Sequence, residues 1–130
     1  MTLDPLPLVI EFLRSSPGIT TETVTGTLVG RSVGEPTVYV IQSGGLRMVR
    51  HRLDRFDVLY DVYGTSTAEA AALAYTVRTL LLEQLPGTTL QGALVLDVAE
   101  VSAPAWHPDA VSQEPAYTGE VSLFLVESDA

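Results

Sequence analysis

Cysteine is absent from the 130 residues, which excludes disulfides, thiolate metal sites and cysteine nucleophiles, and leaves packing and assembly to hold the fold. Lysine is absent too, and all seven basic residues are arginine. A glycine-rich phosphate cradle ending in lysine is therefore excluded, while guanidinium suits fixed, planar ion pairs better than a mobile ammonium does. Charge is scarce: only 18% of residues are charged and the mean hydropathy is +0.26. An ordinary amount of hydrophilic surface is missing, which points to apolar surface covered by a partner. Long apolar runs are also missing. Segments such as "LPLVIEFL" and "ALVLDV" break well short of the roughly 18 residues a membrane helix requires, and the start has no basic leader region. The expectation is neither a membrane span nor a secretory leader.

What is present fits one domain over residues 1–130, with 46% hydrophobic content, ample for a single core. Sixteen carboxylates against seven arginines give a net charge of −9. The distribution is uneven. Residues 47–55 hold Arg47, Arg50, Arg52 and Arg55 against Asp54 alone, a local balance of +3, while the remaining three arginines and fifteen carboxylates leave −12. So negative a chain disfavours general binding to nucleic acid, which depends on accumulated positive potential.

The amino-terminal "DPLPLVIEFLRSSPG" predicts a short helix capped by Asp4, with Pro5 in the first turn, an apolar stripe of Leu6, Val9, Ile10 and Leu13, and a stop at "SSPG". "TTETVTGTLV", residues 20–29, is rich in β-branched residues and predicts a strand; "TVYVIQ", 37–42, predicts a second, followed by a turn at "SGG". "LRMVRHRL" fits neither period. "RFDVLYDVY", 55–63, alternates cleanly, with Phe56, Val58, Tyr60 and Val62 on one face and Arg55, Asp57, Leu59, Asp61 and Tyr63 on the other. Ser66 followed by Glu69 forms a capping-box pattern, and Pro86-Gly87 a stop, which together predict one long helix over about 67–85. Strands follow at 93–103 and in the terminal "AYTGEVSLFLVE", separated by the irregular "PAWHPDAVSQEP". The predicted fold class is α+β: a mostly antiparallel sheet with the long helix and the short amino-terminal helix packed on one face.

Little here carries reactive chemistry. His51, Asp54, Asp57 and Asp61 are residue types that a metal-dependent hydrolase uses. However, Leu59 separates the two strand carboxylates and the neighbouring arginines oppose a cation, so a solvated face with an Arg–Asp ladder accounts for them. His107 lacks a second ligand nearby, and Ser43 in "SGG" is not a strand-to-helix nucleophile elbow. No catalytic residue, metal site or cofactor is expected. The arginine cluster has three readings: a subunit interface, intramolecular pairing, or a nucleic-acid contact. No aromatic residue lies between Arg47 and Arg55 to stack on bases. In a ring each contact is head-to-tail, so a basic edge can face an acidic one, and the interface reading is favoured.

The succession of "VIQSGG", the arginine-rich "RHRLDR", the alternating "FDVLYDVYG", the helix "TSTAEAAALAYTVRTLL" and the closing "PAYTGEVSLFLVE" resembles the tail terminator proteins of long-tailed bacteriophages across nearly the whole chain. The resemblance implies a virion protein, assembled in the host cytoplasm, that forms a ring, usually a hexamer, on the head-proximal end of the tail tube. Such a ring stops tube polymerisation and offers a surface to head-completion or connector proteins, with nucleic acid only passing through its lumen. It implies no catalysis and no membrane partner. Arg47, Arg50, Arg52, Arg55, Asp57 and Asp61 are then candidates for a subunit interface or lumen. Trp106 and His107 are candidates for a loop contacting a neighbour or the tube, with Trp106 as an anchor. The alternatives are another neck protein, a head-closure or tail-completion adaptor, and a small metal-dependent hydrolase.

Overall fold

A computed structural model describes residues 3–20, 23–49 and 53–128. Helix α1 (Pro5–Arg14) begins where Asp4 Oδ1 accepts the Leu6 N–H and Pro5 fills the first turn, whose N–H would be unpaired in any case. Its buried face is Pro5, Leu8, Val9, Phe12 and Leu13, with Leu6 and Ile10 only half-buried at the rim, so the stripe is rotated from the expected one.

The strand expected over 20–29 shrinks to β1 (Val24–Thr25). Thr25 Oγ1 accepts the Thr27 N–H and donates to the Thr27 carbonyl, a local side-chain turn that takes the backbone out of the ladder. β1 lies parallel to β2 (Thr37–Val49), Val24 facing Val38. β2 and β3 (Leu53–Tyr63) then form one long antiparallel hairpin, from Thr37 opposite Tyr63 to Val49 opposite Leu53.

"SGG" is therefore not a turn. Gly44 and Gly45 sit inside β2, opposite Asp57 and Phe56, just after a bulge at Ser43. A Cβ on Gly45 would lie 2.2 Å from the Arg55 carbonyl oxygen, so glycine here serves close approach of two strands rather than chain reversal. The ambiguous "LRMVRHRL" is strand as far as Val49; residues 50–52 lie outside the described residues.

α2 (Thr67–Thr79) starts with Ser66 Oγ accepting the Glu69 N–H. The predicted long helix is not formed: α2 gives way to a π turn (Leu80–Gln84), closed by the Leu85 N–H donating to the Leu80 carbonyl at 3.0 Å. Leu85 follows Val77 and Leu81 on the inner face at i, i+4 and i+8 spacing, all of them fully buried. Each such leucine contributes about 1.5–3 kcal/mol by burial. Gly87, at φ +87°, then turns the chain into β4 (Thr89–Leu90) and β5 (Ala93–Trp106). β6 (Ala116–Glu127) inserts between β3 and β5.

The sheet order is β1-β2-β3-β6-β5-β4. The predicted α+β class, with its mostly antiparallel sheet and one long helix, gives way to a chain that is mostly a curled six-stranded mixed sheet, a half-barrel, with two short helices. Two causes stand out. The 26–36 loop carries the chain from β1 back to β2 without a hairpin, making that pair parallel, and register shifts at two points in β2 and three in β5 bend the long strands. Val38, Val40, Val58, Tyr60, Val62, Val121, Leu123 and Leu125 pack with residues from α1, α2 and the π turn in one core.

Candidate functional site: the carboxylate face and the open edges of the sheet

The alternation of β3 and β6 puts a row of polar side chains on the sheet face opposite the buried one. There Asp57 faces Ser122, Leu59 faces Glu120, and Asp61 faces Thr118. Each carboxylate is held by a hydroxyl from another strand position: Ser122 Oγ donates to Asp57 Oδ1 at 2.6 Å, Thr118 Oγ1 to Asp61 Oδ1 at 2.7 Å, and Ser43 Oγ to Glu120 Oε2 at 2.6 Å. The bulge at Ser43 brings its hydroxyl within reach of a strand two positions away in the sheet. Glu120 and these three hydroxyls were not legible as a set, because cross-strand register is invisible in sequence.

The two arginines of the basic cluster that can be described are paired within their own hairpin. Arg55 Nη2 donates to Asp57 Oδ2 at 3.4 Å; its Nε lies 3.3 Å from Asp57 Oδ1 but misaligned, and is a buried nitrogen without an aligned acceptor among the described residues. Arg47 Nε lies 3.6 Å from Asp54 Oδ1, with 61% of its side chain exposed. An exposed pair at that distance is worth about 0–1 kcal/mol, which leaves Arg47 free to be shared with another acidic group. Arg50 and Arg52 lie outside the described residues, as does His51. Gly45, Leu46, Arg47, Asp54 and Arg55 border a shallow groove of about 400 Å³ on this hairpin. Among the described residues no three of the His, Asp and Glu side chains are grouped to hold a metal.

Trp106 is on a strand, not in an irregular loop. It ends β5, half exposed, with its ring edge-on to Tyr117 at 5.6 Å and 70°. The strand passes through Pro104, whose carbonyl accepts the Tyr75 hydroxyl at 3.4 Å. Pro104 is tolerated because β5 is an outer strand here, where one side of the backbone has no ladder to interrupt. The His107 N–H donates to the Ala116 carbonyl and continues the pairing by one residue; its side chain is exposed.

Sequence reasoning pointed to a basic subunit edge but did not place the open edges of the sheet. Among the described residues β1 covers only Val38 and Tyr39 of β2, and β4 covers only Ala93 and Leu94 of β5. Residues 42–49 are exposed without interruption, and residues 96–103 are exposed except for Val98. Large apolar side chains stand on both: Leu46, Met48 and Val49 are 48%, 49% and 47% exposed, and Leu96 and Val101 are 50% and 55%. The apolar character of "LRMV" and "LVLDVAEV" was the available signal, but the strand order that makes these segments edges is not visible in the sequence.

Comparison with protein-family models gives no match, and comparison with curated proteins gives none either.

The far end of the sheet is held by a second electrostatic group. Arg31, in the 26–36 loop, forms a two-point ion pair with Glu114 in the 107–115 loop, while its Nε donates to Thr37 Oγ1 at 2.6 Å and its Nη2 to the Glu35 carbonyl at 2.7 Å. Its guanidinium stacks 4.5 Å above the Tyr63 ring. Glu114 also accepts from the Gly34 N–H and from Ser112 Oγ, and these donors hold its carboxyl down to about 2, the Arg31 hydrogen bond contributing most. The group fastens two loops to the end of β3.

Proposed function

We propose that the chain is a structural, ring-forming protein of the tail terminator kind: it caps the head-proximal end of a phage tail tube, ends tube growth, and presents the surface that joins tail to head. The observation that carries this reading is the pair of open sheet edges, each with large apolar side chains about half exposed. A long unpaired edge of that kind is an aggregation hazard unless a partner covers it. The low charge density and the likeness of the sequence order to terminators support the same reading.

The acidic sheet face is compatible with a genome passing nearby, since carboxylates repel phosphate and do not retain it. Asp57 and Asp61 are engaged by Ser122, Arg55 and Thr118, an arrangement of structural hydrogen bonds rather than of open ligands.

The test is incubation of the purified chain with tail tubes, followed by native mass measurement and electron microscopy. Rings on one tube end, with tube length arrested, are expected. A chain that neither assembles nor touches tubes at any concentration overturns the reading, and one that binds head connectors but not tubes is an adaptor of the neck instead. The isolated chain is not the deciding sample, because assembly follows mass action.

A further inference from the structure

We infer that the two open edges are each other's partners: residues 42–49 of β2 in one copy pair antiparallel with residues 96–103 of β5 in the next, continuing the sheet from subunit to subunit. This rests on the assembly reading above and deepens it.

Strand direction permits it. β2 is antiparallel to β3, β3 to β6, and β6 to β5, so β2 and β5 run in opposite directions within one copy. A second copy related by rotation about an axis along the strands keeps every direction, and brings β5 against β2 in the antiparallel sense that makes a regular ladder. The open stretches match in length, eight residues each by their ranges, or about 27 Å at the usual rise. The bulged curvature of both strands suits closure.

Charge selects this pairing over its competitors. The β2 edge carries Arg47 beside Leu46 and Met48, and the β5 edge carries Asp97 between Leu96 and Val101. A two-fold contact of β2 with β2 brings basic edges together, and β5 with β5 brings acidic ones together. The head-to-tail contact matches basic to acidic, buries the half-exposed apolar side chains of both edges, and generates a closed ring when the rotation per subunit closes.

The chain's lack of cysteine makes a clean experiment possible. Cysteine is introduced at Leu46 or Met48, at Leu96 or Val101, and in the four combinations, and the full chain is treated with a short bismaleimide at assembling concentration, alone and with tail tubes. All these positions are exposed, and circular dichroism checks that the variants fold. Covalent ladders of dimer, trimer and higher species in the combined variants, with none in the single ones, are expected. Crosslinking of a single variant to itself overturns the proposal in favour of a two-fold contact. Oligomers that form without any crosslink also overturn it, and leave the terminator reading standing. Ladders in a chain that never caps tubes keep the edge pairing and remove the terminator reading. No assembly under any condition removes both. As a second measurement, Arg47→Glu and Asp97→Arg should each weaken association about tenfold, with salt narrowing the difference, and the double reversal should restore most of it. Failure of the double reversal to restore association, with each single change weakening it, overturns the Arg47 to Asp97 match.

Discussion

Arg31 and Glu114 meet through two guanidinium nitrogens, Nη1 to Oε2 at 3.0 Å and Nη2 to Oε1 at 2.7 Å, with 10% and 6% of their side chains exposed. Residues 83 positions apart in the chain thereby fasten the loop before β2 to the loop before β6. Breaking one side of a largely buried pair leaves the other charge uncompensated. Glu114→Ala should cost about 2–3 kcal/mol in urea unfolding at neutral pH. The carboxyl is depressed from 4.5 to about 2. Its contribution is therefore fully present above the unfolded value near 4.5 and is lost as pH falls through about 2. The gap in unfolding midpoint between the native chain and Glu114→Gln should be constant from pH 7 to 5 and shrink steadily between pH 4.5 and 2. A gap that stays constant to pH 2 contradicts this account of Glu114.

Gly119 lies opposite Tyr60 in the β3–β6 ladder, and a Cβ there would come within 2.3 Å of the Tyr60 ring. Gly119→Ala should destabilise by about 1–3 kcal/mol through overpacking. The Tyr60 hydroxyl is fully buried and has no hydrogen-bond partner among the described residues, and burial pushes its pKa well above the ordinary tyrosine value. Removing a buried hydroxyl that makes no bond sheds a desolvation penalty. Tyr60→Phe is accordingly expected to be neutral or to raise the melting temperature; a fall of several degrees would mean that the hydroxyl is bonded in solution.

A Cβ added at Gly45 would run into the Arg55 carbonyl oxygen across the β2–β3 ladder. Gly45→Ala should pry the distal hairpin apart while leaving the core, and so global stability, within about 1 kcal/mol. Amide exchange resolves the two effects: protection should fall for residues 44–49 and 53–57 and persist at Val62 and Leu123. Uniform loss across the chain would show instead that the hairpin end is part of the cooperative core.

Trp106 is half exposed and rests edge-on against Tyr117. Its removal forfeits one aromatic pair, worth about 0.5–1.5 kcal/mol. On the proposed function, Trp106→Ala should change the stability of the isolated chain by no more than that amount and reduce ring formation or tube capping at least tenfold, the larger loss reflecting an interface anchor. Unchanged capping would remove Trp106 from the contact surface.

Some of these features were legible in the amino-acid order. The Asp4 cap, the Ser66 cap, the Gly87 stop and the alternation of β3 are local, since each depends on φ/ψ preference or side-chain period within a few residues. The candidate site was less legible. Asp57 and Asp61 could be placed on one strand face, but their partners Ser122 and Thr118 come from a strand more than fifty residues on. "SGG" carries every local sign of a turn, yet the strand continues through it because β3 supplies a ladder partner on the far side.

By itself the sequence determined where helices begin, which strand faces are apolar, the absence of thiol and lysine chemistry, and the segregation of charge, because these follow from residue type and spacing. The tertiary structure decided the rest: the parallel β1, the π turn at Leu80–Gln84, and the place of β6 in the middle of the sheet. It also decided that β2 and β5 are left as open edges. An edge is a property of strand order, and strand order is chosen by which apolar faces can be buried together, a competition among segments far apart in the chain.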